Sequence, residues 1–98
     1  MNMHRIVVIR GRVQGVGFRA WTEITALERG IEGWVRNRRD GSVEALFAAP
    51  DERVAAMIED CRIGPPGARV DFIDHREARP DEIALRRRDE LFSVLTSV

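Results

Sequence analysis

The chain of 98 residues has no lysine and no tyrosine, and it has a single cysteine. That count excludes an internal disulfide. Cys61 follows Val54, Met57 and Ile58 at helical spacing, which predicts a buried thiol on an apolar helix face. No apolar run reaches the length that crosses a bilayer, and the first residues lead into a strand rather than an apolar signal core. We therefore expect a cytoplasmic protein without a membrane partner.

Patterns for metal binding and nucleophilic catalysis are also missing. His4 and His75 stand alone, without metal-ligand spacing to each other or to Cys61. Ser42 and Thr22 lack a recognisable activating base. The sequence therefore predicts no metal site, no cofactor and no covalent nucleophile.

Charge is balanced over the chain but unevenly distributed. All 16 basic residues are arginines, against 16 acidic residues. Residues 1–50 hold eight arginines and five acids, whereas residues 51–98 hold eight arginines and eleven acids. A solvated charged surface explains most of these side chains, but the basic half would also attract an anionic substrate. The arginines that we expect to contribute to this attraction are Arg10, Arg12, Arg36, Arg38 and Arg39.

A glycine-rich turn lies between a β-branched run at residues 6–9 and an apolar pattern of helical spacing that starts at Phe18. Its glycines permit positive φ, so that successive backbone N–H groups converge. The following helix adds unpaired N-terminal donors, and Arg19 adds a planar guanidinium in the first turn. We expect this turn to bind a phosphate or a carboxylate.

A second segment, residues 33–47, has the pattern of a hairpin. Trp34 and Val35 have strand composition, as do residues 43–47, and Asp40 followed by Gly41 is a strong turn signal. This places Asn37 near the tip of the hairpin.

These two segments resemble the two signatures of the acylphosphatase family. The run from Ile9 to Arg19 matches the first signature throughout, and the loop from Gly64 to Val70 is also typical of the family. The second signature departs at two positions, since Ala49 replaces a glycine and Arg38 replaces the threonine found in better-known members. The resemblance extends to Val70, and the last third of the chain departs from the family's usual final strand.

The resemblance implies hydrolysis of the carboxyl-phosphate bond of small-molecule acyl phosphates, giving a carboxylate and inorganic phosphate. It implies that Arg19 and Asn37 are the catalytic residues, with Asn37 orienting the attacking water. The implied phosphate-binding residues are Gln14, Gly15, Val16, Gly17, Phe18 and Arg19. The nature of the acyl group stays open.

The pattern predicts one α+β domain over residues 1–98. Its order βαββαβ suits a ferredoxin-like sandwich, with an antiparallel sheet and two helices on one face. The predicted strands are 5–11, 31–38, 42–48 and 68–77, and the predicted helices are 19–29 and 52–62. Residues 78–90 are predicted as an irregular loop before an edge strand near 91–96.

The helix faces can also be predicted. The first helix is expected to present Phe18, Trp21, Ile24 and Leu27 on its buried side. The second is expected to begin with Asp51 as its N-cap. Trp34 has two open interpretations, covering the uncovered sheet face or forming part of a substrate wall.

Two alternatives to an enzyme use the same fold. One is a phosphate- or nucleic-acid-binding module, but RNA-binding sheets stack bases on aromatics of their central strands, and residues 6–9 contain none. The other is a regulatory or carrier-like domain, as in the acylphosphatase-like segments of hydrogenase-maturation proteins. The intact Arg19 and Asn37 in a chain of 98 residues favour an enzyme over such a domain. We also expect a monomer without a nucleic-acid partner.

Overall fold

A computed structural model describes residues 2–98. The first six elements follow the predicted order βαββαβ, and a short helix and a short strand come after them. The elements are β1 (Asn2–Arg12), α1 (Phe18–Glu28), β2 (Glu32–Asn37), β3 (Val43–Pro50), α2 (Asp51–Ile63), β4 (Arg69–Glu77), α3 (Pro80–Ile83) and β5 (Phe92–Val94).

The strands form one sheet in the order β4-β1-β3-β2-β5. Four of them are antiparallel as predicted, whereas β5 pairs with β2 in parallel, with Phe92 opposite Gly33. The sheet is therefore mixed at this edge. The reason is the position of β4, which ends at the end of the sheet where β2 begins. The chain crosses the sheet there and enters β5 in the direction of β2.

The main core lies between the sheet and the two long helices. Strand residues that alternate along β1, β2 and β3 face it, among them Val7, Val35 and Phe47, which are fully buried. The predicted apolar face of α2 is confirmed, because its four predicted members are its buried residues: Val54, Met57, Ile58 and Cys61.

The predicted face of α1 is partly wrong. Its buried residues are Phe18, Thr22 and Ala26, whereas Ile24 and Leu27 are 58% and 46% exposed. The small side chains of Thr22 and Ala26, four residues apart, face the sheet and allow α1 to pack closely against it. The Thr22 hydroxyl stays satisfied because it donates to the Phe18 carbonyl at 2.8 Å.

Trp21 is half-buried, as an edge member of this core, with its ring 5.4 Å from that of Phe18. The start of α2 also differs by one residue from its prediction. Pro50 is the N-cap, and Asp51 is the first helical residue, where its carboxylate faces the positive end of the helix.

A second apolar cluster lies on the opposite face of the sheet and consists of Ile6, Trp34 and Leu46. The segment after β4 covers it, with Ala78 and Leu95 packed against the cluster. Trp34 is fully buried here, so that it covers the sheet face and is not a substrate wall.

Residues 78–90 are more ordered than the predicted loop. They contain α3, where the Glu82 carboxylate accepts hydrogen bonds from the Arg79 N–H and from both terminal nitrogens of Arg76. None of the helices formed by residues 2–98 has the length and apolar character that a membrane crossing requires.

Candidate active site

The predicted anion-binding turn connects β1 to α1. Gly15 and Gly17 have φ of 76° and 78°, in the left-handed region that favours glycine. Gly17 is the N-cap of α1, and no acidic residue stands in the first helical turn. The unpaired N–H groups and the partial positive charge of the helix are therefore available to an anion at this turn.

A cavity of about 450 Å³ opens beside this turn. Five of the six predicted phosphate-binding residues line it, together with the predicted Asn37; the five are Gln14, Gly15, Gly17, Phe18 and Arg19. Val16 is not part of the wall, since its side chain packs against the main core. The cavity is thus the place where the two sequence motifs meet.

Arg19 is half-buried in the first turn of α1. It forms no salt bridge with any residue in the segment 2–98. A guanidinium stays charged at all physiological pH values and carries five donors in a planar fork. Arg19 can therefore offer a bidentate contact to an anion in the cavity.

Asn37 is the last residue of β2, where it pairs with Val43 of β3. It lies on the same face of the sheet as Val35, which faces the main core. Its main-chain carbonyl accepts a hydrogen bond from the N–H of Val98, at 3.1 Å. The β2 backbone is thus fixed on both sides at the position from which Asn37 enters the cavity.

The predicted turn at Asp40 and Gly41 is present, and side chains brace it. The Asp40 carboxylate accepts hydrogen bonds from the Ser42 hydroxyl at 2.6 Å and from the Ser42 N–H at 3.0 Å. Arg10 adds a third contact at 3.2 Å. These donors, those of Ser42 first, lower the pKa of Asp40 to about 2.

The cavity also contains residues that the sequence patterns did not indicate: Val13, Ala20, Glu23 and Val94. Glu23 lies one helical turn after Arg19, so that the i, i+4 spacing on α1 is a signal that could have identified it. Val94 has no such signal, because it reaches the cavity only through the parallel pairing of β5 with β2.

Most of the basic surface lies outside this cavity. A second cavity of about 460 Å³ is lined by Arg36, Arg38, Arg39, Asp40, Glu44 and Val98. Here Arg36 pairs with Glu44 at 2.7 Å, and Arg38 lies 3.8 Å from Asp40. Carboxylates thus neutralise part of this charge.

The histidines and the cysteine lie elsewhere. Arg5 donates to Nδ1 of His75 at 2.8 Å, on the outer strand β4. Burial raises the pKa of the Cys61 thiol to about 12. None of His4, His75 and Cys61 lines the cavity of Arg19 and Asn37.

The sequence profile of the Acylphosphatase family matches residues 5–88. The chain belongs to the acylphosphatase family. It is 61% identical over 92 residues to an acylphosphatase of Bradyrhizobium diazoefficiens, covering 94% of this chain and 93% of that protein. The family resemblance found in the two motifs is therefore confirmed, and so is the predicted activity, hydrolysis of acyl phosphates.

Solved structures support the same assignment and the predicted fold. The crystal structure of an acylphosphatase from Bacillus subtilis superposes with a TM-score of 0.82 at 34% identity, covering 97% of this chain and 99% of that one. The structure of T. kodakarensis HypF superposes with a TM-score of 0.76 at 32% identity, and covers 100% of this chain but 12% of that one. The fold therefore occurs both in proteins of this size and within a much longer chain.

Proposed function

We propose that the acyl phosphate is hydrolysed in the cavity between the 14–19 loop and β2. The backbone N–H groups of residues 14–19 and the guanidinium of Arg19 hold the phosphoryl group, and Asn37 orients the attacking water. The observation that carries this proposal is the common cavity, since Arg19 and Asn37 come from separate motifs and line the same cavity.

The leaving group of this reaction requires no catalytic assistance from the protein. A carboxylate is a weak base, with a pKa of roughly 4 to 5 for the side-chain carboxyls, so that it departs without a general acid. The remaining requirement is to neutralise the phosphoryl oxygens and to place a water in line with the bond that breaks. Preorganised donors at the loop serve the first purpose.

Asn37 serves the second purpose. Its carboxamide has both a donor and an acceptor, so that it can orient a water, but it is not a base. The water oxygen attacks phosphorus, the bond to the acyl oxygen breaks, and its electron pair leaves with the carboxylate. The proton of the water passes to a phosphoryl oxygen of the substrate, which makes the step substrate-assisted.

Small acyl phosphates are better candidate ligands than nucleic acid. β1 carries no aromatic residue, and Phe47 of β3 is buried in the main core. The face opposite the helices therefore offers no stacked platform for bases on its two central strands. We also propose that the protein works as a monomer in the cytoplasm, because one chain supplies all of these groups and its single cysteine requires no oxidising compartment.

The test is release of phosphate from benzoyl phosphate in the presence of a metal chelator. We expect metal-independent hydrolysis by the wild-type chain and a loss of about 100- to 1,000-fold for Asn37→Ala, as for removal of a preorganised donor. Asn2→Ala is the matched control, since it makes the same substitution at an exposed position outside the cavity, and we expect it to retain activity. Full activity of Asn37→Ala would contradict the proposed role, and phosphate binding without turnover would favour an anion-binding module.

A further inference from the structure

The side-chain amide of Gln14 contacts the hairpin. Its amide nitrogen donates to the Arg38 carbonyl at 2.8 Å and to the Ser42 carbonyl at 2.9 Å. A primary amide has two N–H donors, so that both are used in these two contacts. Gln14 therefore offers an anion its backbone N–H only.

The two acceptors are the first and last residues of the hairpin turn. The Arg38 N–H donates to the Ser42 carbonyl at 2.9 Å, and the Gly41 N–H donates to the Arg38 carbonyl at 3.1 Å. Gln14 thus adds a third residue to the hydrogen-bonded pair that closes the turn. Asn37 and Val43 form the adjacent pair of the ladder.

One side chain therefore connects the two halves of the proposed site. Gln14 is the first residue of the loop that holds the phosphoryl group, and its side-chain amide donates hydrogen bonds to the turn directly after Asn37. We propose that Gln14 is a positioning residue, which sets the separation between the phosphate-binding loop and Asn37. This inference rests on the proposed function, because it assigns Gln14 an effect through the water that Asn37 orients.

The geometry leads to a specific kinetic signature. Gln14→Met keeps the length of the side chain and removes both donors, while the loop N–H groups and Arg19 remain. A displacement on the order of 1 Å from the productive geometry costs up to about 100-fold in rate. We expect kcat for benzoyl phosphate to fall by about 10- to 100-fold, with the competitive inhibition constant of inorganic phosphate changed by less than about 2-fold. A variant that only loosened the fold would weaken phosphate inhibition as well.

A double-mutant cycle then tests whether Gln14 acts through Asn37. Residues that act as one unit show strongly non-additive effects. We expect Gln14→Met to have little further effect on kcat when it is combined with Asn37→Ala. Additive losses would overturn the role of Gln14 and leave the proposed function in place, whereas full activity of Asn37→Ala alone would overturn the proposed function itself.

Two further variants keep the test independent of folding. Gln14→Asn retains the carboxamide on a shorter side chain, and we expect a kcat between those of the wild-type and Gln14→Met chains. Asn2→Ala is the control at an exposed position outside the cavity, with an expected kcat near that of the wild type. If Gln14→Met does not fold, a wild-type kcat in a folded Gln14→Asn chain would still overturn the inference, since the shorter side chain cannot span to both carbonyls unchanged.

Discussion

The indole N–H of Trp34 donates a hydrogen bond to the main-chain carbonyl of Glu82 over 2.8 Å, and both residues are buried. This contact joins β2 to α3, two elements that lie far apart in the sequence. It fixes the crossing segment, residues 78–91 between β4 and β5, on the sheet face opposite the helices, and β5 follows from that segment. The edge of the sheet beside Asn37 thus depends on a contact on the other face.

Replacement of Trp34 by phenylalanine tests how much this contact stabilises the fold. Trp34→Phe removes the indole donor, leaves the Glu82 carbonyl with the longer hydrogen bond from the Leu85 N–H at 3.3 Å, and creates a small void. We therefore expect the free energy of unfolding to fall by about 2 kcal/mol. Urea unfolding measures the loss. The KM for benzoyl phosphate should not change, because Trp34 does not line the active-site cavity. A raised KM with unchanged stability would contradict this assignment and indicate that Trp34 contacts the substrate.

Acid should destabilise the crossing segment through Glu82. The paired Arg76 guanidinium and the Arg79 N–H lower the pKa of this buried carboxyl from 4.5 to about 2. The unfolded chain therefore binds more protons between these values, so that the stabilisation is complete above about pH 5 and is lost as the pH falls toward 2. Because Arg76 is half exposed, we expect about 2 kcal/mol. Urea midpoints at pH 3 and pH 7 should differ less in Glu82→Gln than in the wild type, and equal differences would contradict this assignment.

Arginine and lysine should not be interchangeable at position 19. An ammonium is a point charge and cannot reproduce the planar fork that grips two phosphoryl oxygens. We expect Arg19→Lys to lower kcat/KM by about 100-fold and to weaken inhibition by phosphate, with a greater loss for Arg19→Ala. Steady-state kinetics with benzoyl phosphate measure both effects, and wild-type values for Arg19→Lys would exclude the bidentate contact.

Glu23 should weaken the binding of anions. Glu23 lines the same cavity as Arg19, and its negative charge would repel a phosphate there. We expect Glu23→Gln to tighten competitive inhibition by phosphate by about 2- to 5-fold at low ionic strength, with a smaller effect at 1 M salt because salt screens the repulsion. Glu28→Gln is the matched control, since Glu28 lies exposed on α1 outside the cavity. An unchanged inhibition constant for Glu23→Gln would show that the carboxylate does not face the bound anion.

Local patterns were sufficient for most of the fold and for the motifs that form the cavity. Asp40 and Gly41 are a strong turn signal on their own, and the periodic apolar residues of α2 identified its buried face. The face of α1 was harder, since Ile24 and Leu27 fit an apolar stripe as well as Phe18 does. Thr22 and Ala26 determine which side of α1 faces the sheet, because their small side chains let the helix approach closely. The spacing of apolar residues along the helix does not reveal this preference.

Long-range pairing limited the rest. The direction of β5 depends on where β4 ends relative to β2, so that Val94 could not be placed in the cavity from its neighbours in the sequence. The formation of α3 depends on hydrogen bonds with Arg76 and Trp34, two residues outside this helix. The polar composition of residues 78–90 does not reveal this, because their fixed geometry depends largely on hydrogen bonds to Trp34 and Arg76.

The buried thiol of Cys61 allows opening of the core to be measured by thiol alkylation. It is the only thiol in the chain, it has no exposed surface, and its raised pKa keeps it in the unreactive protonated form. An alkylating reagent can therefore reach it only when α2 separates from the sheet. The rate of modification thus counts such openings directly, and every variant discussed above carries this internal reporter without an added label.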